Sequence, residues 1–220
     1  MSQSQPVVID VWSDIACPWC YVGKRRLEEA IAQTAAPVEV RYHAFILDPY
    51  AGPADGRTEA DVLALKLGGK DRAVQALRHM TELAASEGLD FDFDRVVPTA
   101  TAPTHRFLAL VQDRYGWEAK ARVVGELFAA HFTAGRDVGD EQVMQRAADA
   151  AGYGDLAPAD IAAALRADSA QAGAVERDIA AAESHGARAV PFYILGNKYS
   201  AAGAQNVTTF ADALRDLTEM

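Results

Sequence analysis

Cysteine is scarce in this chain: there are two in 220 residues, Cys17 and Cys20. A disulfide-stapled scaffold is therefore excluded, because such folds need several bridges to replace a core. Long apolar runs are missing as well, the longest being a few residues, so no segment is expected to span a membrane. The opening MSQSQPVVIDVW has no basic stretch leading into a run of roughly 7–15 apolar residues. The expectation is no secretory signal and a cytoplasmic setting. Positive charge is in deficit too, with 21 Lys+Arg against 31 Asp+Glu and a net charge of −10. Apart from Lys24-Arg25-Arg26 the basic residues are scattered, which argues against nucleic acid as a partner. What the chain does have is 50% hydrophobic and 24% charged residues, which excludes disorder and low complexity. Its length suits one large domain, or one domain with a sizeable insertion.

Val7 to Ser13 (VVIDVWS) is β-branched and aromatic and reads as a buried strand. From Cys17 an amphipathic helix follows, with Tyr21, Leu27 and Ile31 at helical spacing. Pro37 stops it, and Val38 to Leu47 alternates like a second strand. From Asp48 to Gly56 a Pro- and Gly-rich loop intervenes. Helices are then expected near 58–68, 70–87, 103–115, 118–134, 140–151, 158–166 and 168–185, in an alanine-rich stretch punctuated by Gly and Pro. Strand character returns at Val190 to Leu195. Gly196-Asn197 reads as a two-residue hairpin, Lys198 to Ala201 as the returning strand, and Val207 to Leu217 as a last helix. The order is β-α-β, an all-helical block, then β-β-α, an α/β fold.

Two cysteines placed at random fall three apart only about once in a hundred times by pair counting, so CPWC is where chemistry is sought. The motif sits where a strand meets a helix. There, unpaired backbone N–H groups and the positive end of the helix dipole favour a thiolate. Cys17, nearer the helix start, is the natural attacking thiol, and Cys20, one turn on, the resolving one. Pro18 suits the first helical position, where no N–H is needed. The bland alternative is a pair of buried structural cysteines. A metal site is not expected, since zinc would need two more ligands and His43, His105 and His131 have no paired spacing.

The segment DVWSDIACPWCYVGKRRLEEA resembles the active-site segment of DsbA-family thioredoxin-fold oxidoreductases, in particular the FrnE-like branch. AVPFYILGNKYSAAGAQ is similar to that family's cis-proline strand and hairpin, and PTHRFLAL with LFAAHFTAGRDVGDEQV is a weaker third match. The resemblance implies a thioredoxin fold from residues 1–57 and 186–220 with a helical domain, 58–185, inserted after the second strand. It also implies a cis Val190–Pro191 bond, the Val190 backbone beside Cys17, and a groove formed with Trp19 at its rim. Gly203, Ala204 and Gln205 would contact a bound thiol ligand, as in the related glutathione-binding branch.

The implied activity is thiol–disulfide exchange, in the direction of disulfide reduction or isomerisation, on thiol or disulfide protein substrates. No tightly bound cofactor is expected, although glutathione or another small thiol would serve as co-reactant, and a homodimer is left open. Two alternatives stand beside it. One is a glutathione-dependent small-molecule isomerase or transferase of the 2-hydroxychromene-2-carboxylate isomerase/kappa type. Those enzymes carry Ser where Cys17 stands, so the retained CPWC counts against it. The other is a redox-sensing or chaperone-like binding module. Asp10, an acid inside an apolar strand, needs a reason to be buried. The resemblance to thioredoxin-like proteins, where an acid in this strand can relay a proton to the resolving cysteine, implies that role for Asp10; the alternative is an acid at an exposed strand edge. Asp14 reads as a loop or cap acid, Trp12 as core, and His105 and His131 as packing or surface groups of helices.

Overall fold

A computed structural model describes residues 5–219. Strands β1 (Val7–Ser13), β2 (Val38–Ala44), β3 (Phe192–Leu195) and β4 (Tyr199–Ala202) form one sheet in the order β2-β1-β3-β4. β1 and β2 run parallel, joined by helix α1 (Pro18–Thr34), while β3 is antiparallel to both β1 and β4. This is the thioredoxin arrangement. Between β2 and β3 come α2 (Glu59–Leu67), α3 (Lys70–Ser86), α4 (Ala102–Tyr115), α5 (Trp117–Phe128), α6 (Glu141–Ala150), α7 (Pro158–Ala164) and α8 (Ala170–Ser184); α9 (Val207–Thr218) closes the chain.

Side-chain alternation along β1 divides the sheet into two faces. Ile9, Val11 and Ser13 point toward α1 and α9, where Tyr193 packs edge-on against Phe210. Asp10 and Trp12 point the other way, toward α8, with Trp12 Nε1 donating to the Asp178 carbonyl at 2.9 Å. Leu27, Val22 and Ala30 of α1 are buried, each large apolar side chain contributing about 2–3 kcal/mol. Close approach of α1 to β3 explains Gly23. A Cβ there would overlap the Tyr193 hydroxyl and lie 3.1 Å from Pro191 Cγ.

Several expected boundaries move, each for a visible reason. β2 ends at Ala44 instead of Leu47: Phe45 N–H makes the last ladder bond to Ser13 O, at 3.1 Å, and Leu47 N–H turns aside to Asp14 Oδ2 at 2.7 Å. β3 starts at Phe192 rather than Val190, because Pro191 has no N–H to offer the ladder. The expected two-residue hairpin is a three-residue one. Leu195 pairs with Tyr199 across Gly196, Asn197 and Lys198, the first two at positive φ (58° and 55°). The helix expected over 118–134 is α-helical only to Phe128 and widens into a π-helical turn at Ala129–Thr133.

Candidate active site

Asp14 O accepts the Cys17 N–H at 3.0 Å, and Cys17 is the residue that caps α1, with Pro18 at its first position. Cys20 N–H returns to Cys17 O at 3.0 Å, which closes the first turn and brings the two cysteines to 3.2 Å. Both are free thiols and buried. Cys17 Sγ–H points to Val190 O at 3.6 Å, and the Val190–Pro191 peptide is cis. Trp19 is 42% exposed and stands at the mouth. The dithiol and Val190–Pro191 are thus one site.

Beneath the pair, Ser13 from β1, Tyr42 from β2 and Tyr193 from β3 share the face that meets α1. Burial pushes the Cys20 thiol well above its ordinary range, and the hydrogen bond and charge of Cys17 add to the effect, while Ser13 acts in the opposite sense. Burial likewise raises Tyr42 and Tyr193 well above the usual phenol value, so both are neutral. The Tyr193 hydroxyl has no hydrogen-bond partner among the described residues. Two of the causes that keep Cys20 protonated come from Cys17, and both vanish once Cys17 is bonded to a substrate sulfur. Cys20 is then freer to ionise, at the step where a resolving thiolate is needed.

Asp14 is buried and organises the loop that leads into the dithiol. Its carboxylate accepts from Leu47 N–H (2.7 Å), Ala16 N–H (3.3 Å) and His105 Nε2 (3.2 Å). Burial alone would raise its pKa, but the His105 hydrogen bond and charge, with Leu47 N–H, take it below the ordinary value. His105 is therefore a buried partner of this loop. Gly203 is brought alongside the site, its N–H bonding Pro191 O at 2.7 Å. Ala204 O is taken by Arg26 at 2.9 Å, and the Gln205 amide turns back to Ala202 O at 2.7 Å.

Asp10 is not brought to Cys20. β1 is an inner strand, so Asp10 is not at a sheet edge either, and its side chain lies on the face away from α1. There His43 Nε2 stands 2.7 Å from Asp10 and Nδ1 stands 3.0 Å from Asp178. Both partners are carboxylate acceptors, an arrangement that favours the imidazolium, in which both ring nitrogens donate. Burial would lower the His43 pKa, but the two hydrogen bonds and charges outweigh it and raise it. Asp178 also accepts Ala44 N–H at 2.8 Å. It is held below the ordinary carboxylate value because, against burial, the His43 hydrogen bond, Lys120 charge and Ala44 N–H prevail. Sequence reasoning missed Ser13, Tyr42, Tyr193 and the His43–Asp178 pair; a usable signal existed only for Gly23, a lone glycine inside an amphipathic helix.

Residues 8–215 match the DSBA-like thioredoxin domain. No curated protein matches the chain. Among solved structures, a probable DsbA oxidoreductase from Streptomyces coelicolor is 32% identical, with a TM-score of 0.84 over 97% of this chain and 90% of that one. The cytosolic disulfide reductase DsbM from Pseudomonas aeruginosa, solved with GSH, is 18% identical at a TM-score of 0.62, over 96% and 97% of the two chains. A 2-hydroxychromene-2-carboxylate isomerase is 15% identical at 0.65, over 96% of both, a likeness of fold alone. With its dithiol, its sheet order and a match across nearly all its length, the chain belongs to the DSBA-like thioredoxin family.

Proposed function

We propose that the protein is a thiol–disulfide oxidoreductase that reduces or isomerises disulfides of polypeptide substrates. The observation that carries this reading is the pair of free, buried cysteines 3.2 Å apart at the start of α1, with Val190 O 3.6 Å from the first sulfur. The Cys17 thiolate attacks a substrate disulfide, that S–S bond breaks, and one substrate sulfur leaves as a thiolate that takes up a proton. The Cys20 thiolate then attacks Cys17 Sγ, forming the Cys17–Cys20 disulfide and releasing the second substrate sulfur as a thiolate, which is likewise protonated. Two electrons pass to the substrate, and an external thiol, such as glutathione, reduces the enzyme disulfide again. In isomerisation a second substrate thiol, instead of Cys20, displaces Cys17. The cytoplasm is the compartment that suits net reduction. No helix among the described residues is long and apolar enough to cross a membrane.

Cys17→Ser is expected to lower disulfide reduction at least about 10³-fold. Cys20→Ser should accumulate a mixed disulfide through Cys17, detected by mass spectrometry under non-reducing conditions. Reduction that survives Cys17→Ser would overturn the reading. The glutathione-dependent isomerase or transferase alternative predicts the reverse: activity on small molecules indifferent to Cys20→Ser.

A further inference from the structure

His131 is buried, 2% exposed, yet its Nδ1 has no hydrogen-bond partner among the described residues. It lies in the π-helical turn Ala129–Thr133, a distortion that often accompanies functional sites. Its ring forms part of the wall of a cavity of about 290 Å³. The same wall contains Ala16, the residue before Cys17, and Asp14, whose carbonyl accepts the Cys17 N–H at 3.0 Å. Burial lowers the His131 pKa to about 4, so the imidazole is neutral at pH 7 and keeps an acceptor lone pair.

The rest of the lining indicates what would fit. Two cations face the cavity, but Arg57 is taken by Asp55 at 2.8 Å and Lys66 by Asp48 at 3.1 Å. Asp14 is likewise occupied by its three donors. Glu59, at the start of α2, is a half-buried carboxylate with no hydrogen bond or close ion pair among the described residues; burial raises its pKa, and the charge of Lys66 nearby works against that rise. Tyr50, 95% exposed, offers an aromatic face, and Leu65, 76% exposed, an apolar surface for a methylene stem. A free carboxylate, a neutral acceptor and an aromatic face together complement an ammonium or guanidinium. The net charge of −10 favours the approach of the same kind of group.

We propose that this cavity is a specificity subsite that receives a cationic side chain, lysine or arginine, lying within a residue or two of the reacting sulfur, with Glu59 as its counter-charge. The inference rests on the oxidoreductase reading and names the substrates it favours. Peptide disulfides that differ only in carrying lysine, norleucine or glutamate next to the cysteine are reduced under identical conditions. The lysine peptide should exceed norleucine about tenfold in kcat/KM, with glutamate lowest, the scale of one charge-assisted hydrogen bond. Glu59→Gln should bring the lysine-to-norleucine ratio to within about twofold of unity. Glu82→Gln removes the same unit of charge from the exposed face of α3 and should keep the ratio. Cystamine, an aminothiol disulfide without a peptide, is run beside them. A preference for it over bis(2-hydroxyethyl) disulfide that Glu59→Gln removes extends the subsite to small aminothiols, whereas a preference confined to peptides assigns it to polypeptides. Equal ratios in the wild type and Glu59→Gln, or equal losses in the two variants, overturn the proposal. Binding of a labelled lysine peptide with serine for cysteine to the Cys17→Ser variant is read without turnover. Selective binding with no reduction of any peptide would defeat the oxidoreductase reading alone; reduction without selectivity would defeat the subsite alone.

Discussion

Under α1, β1 presents Ser13 to a neighbourhood of Cys20, Tyr42 and Tyr193; on its other face, Asp10 meets His43 and Asp178. The first face carries Cys20, Tyr42 and Tyr193, which burial keeps neutral, and among the described residues the Tyr193 hydroxyl has no partner. The second carries charge, and every charge there has a partner: Asp10 and Asp178 on His43, with Ala44 N–H also on Asp178. Unpaired charge is costly in a protein interior, whereas an unpaired hydroxyl costs far less. The Cys20 sulfur therefore sits beside neutral phenols, with the Asp14 carboxylate turned to Leu47 N–H, Ala16 N–H and His105, while charge on the opposite face holds α8 against the sheet.

The largest effect expected from disturbing this contrast is at Gly23, where α1 touches the neutral face. Gly23→Ala should destabilise by about 3 kcal/mol, because its Cβ would overlap the Tyr193 hydroxyl. Tyr193→Phe removes a hydroxyl that has no partner among the described residues and should by itself be close to neutral. The double variant should regain much of the loss, leaving only the 3.1 Å approach to Pro191. Urea unfolding of the three variants measures the coupling. If the double variant is no better than the single, the close approach at Tyr193 is not what requires glycine.

On the charged face, Asp178→Ala should cost about 2 kcal/mol, since it leaves His43 and the Ala44 N–H without their acceptor. The figure is kept modest because the Asp178 side chain is 21% exposed. The effect should fall on stability, with disulfide reduction per folded molecule retained. A loss of activity larger than the loss of folded protein would mean that the two faces are coupled.

How much of this was readable beforehand depends on the range over which each residue interacts. CPWC, the strand before it and the helix after it are neighbours in sequence, and local patterning places them. The thioredoxin order and the helical insertion follow from the alternation of period-2 and period-3.6 segments. Asp10 was visible as an acid needing a reason, but the reason lies 33 residues away in His43 and 168 away in Asp178. His105 and Asp14, 91 residues apart, are the same case. Nothing local distinguishes a helical histidine that will meet a buried carboxylate from one that will meet solvent. The π-helical turn at 129–133 was hidden because its residues, AAHFT, fit an α-helical pattern equally well.

The pH dependence of stability separates the faces more finely. His43 is raised by its two carboxylates, so its contribution is complete below its ordinary value of 6.5 and is lost as pH rises through the higher folded value. Asp178 is lowered, so its contribution is present above the ordinary 3.8 and is lost as pH falls through the lower folded value. The clamp therefore acts between weakly acidic pH and the folded-state pKa of His43. Urea midpoints from pH 5 to 9 should fall on the alkaline side in the wild type, and His43→Gln should flatten that limb.

Asp10→Asn gives the smallest effect and the sharpest comparison. Asparagine keeps an oxygen acceptor for His43 Nε2 and removes the charge, so stability should fall by only about 0.5–1 kcal/mol. The alkaline limb should move to lower pH, because one of the two charges that raise His43 is gone. On the thiol face nothing should change. Asp10 points away from Cys20, and the groups that shift that thiol are burial, Cys17, Asp14 and Ser13. The rate of iodoacetamide alkylation of Cys20 against pH, read in the Cys17→Ser variant with and without Asp10→Asn, should give superimposable curves. A displaced curve would restore a relay through the strand, for which a carboxylate on the opposite side of the backbone would need to act on the sulfur through an intervening group. Since β1 separates the two side chains and His43 occupies the carboxylate, the superimposable outcome is the one the geometry requires.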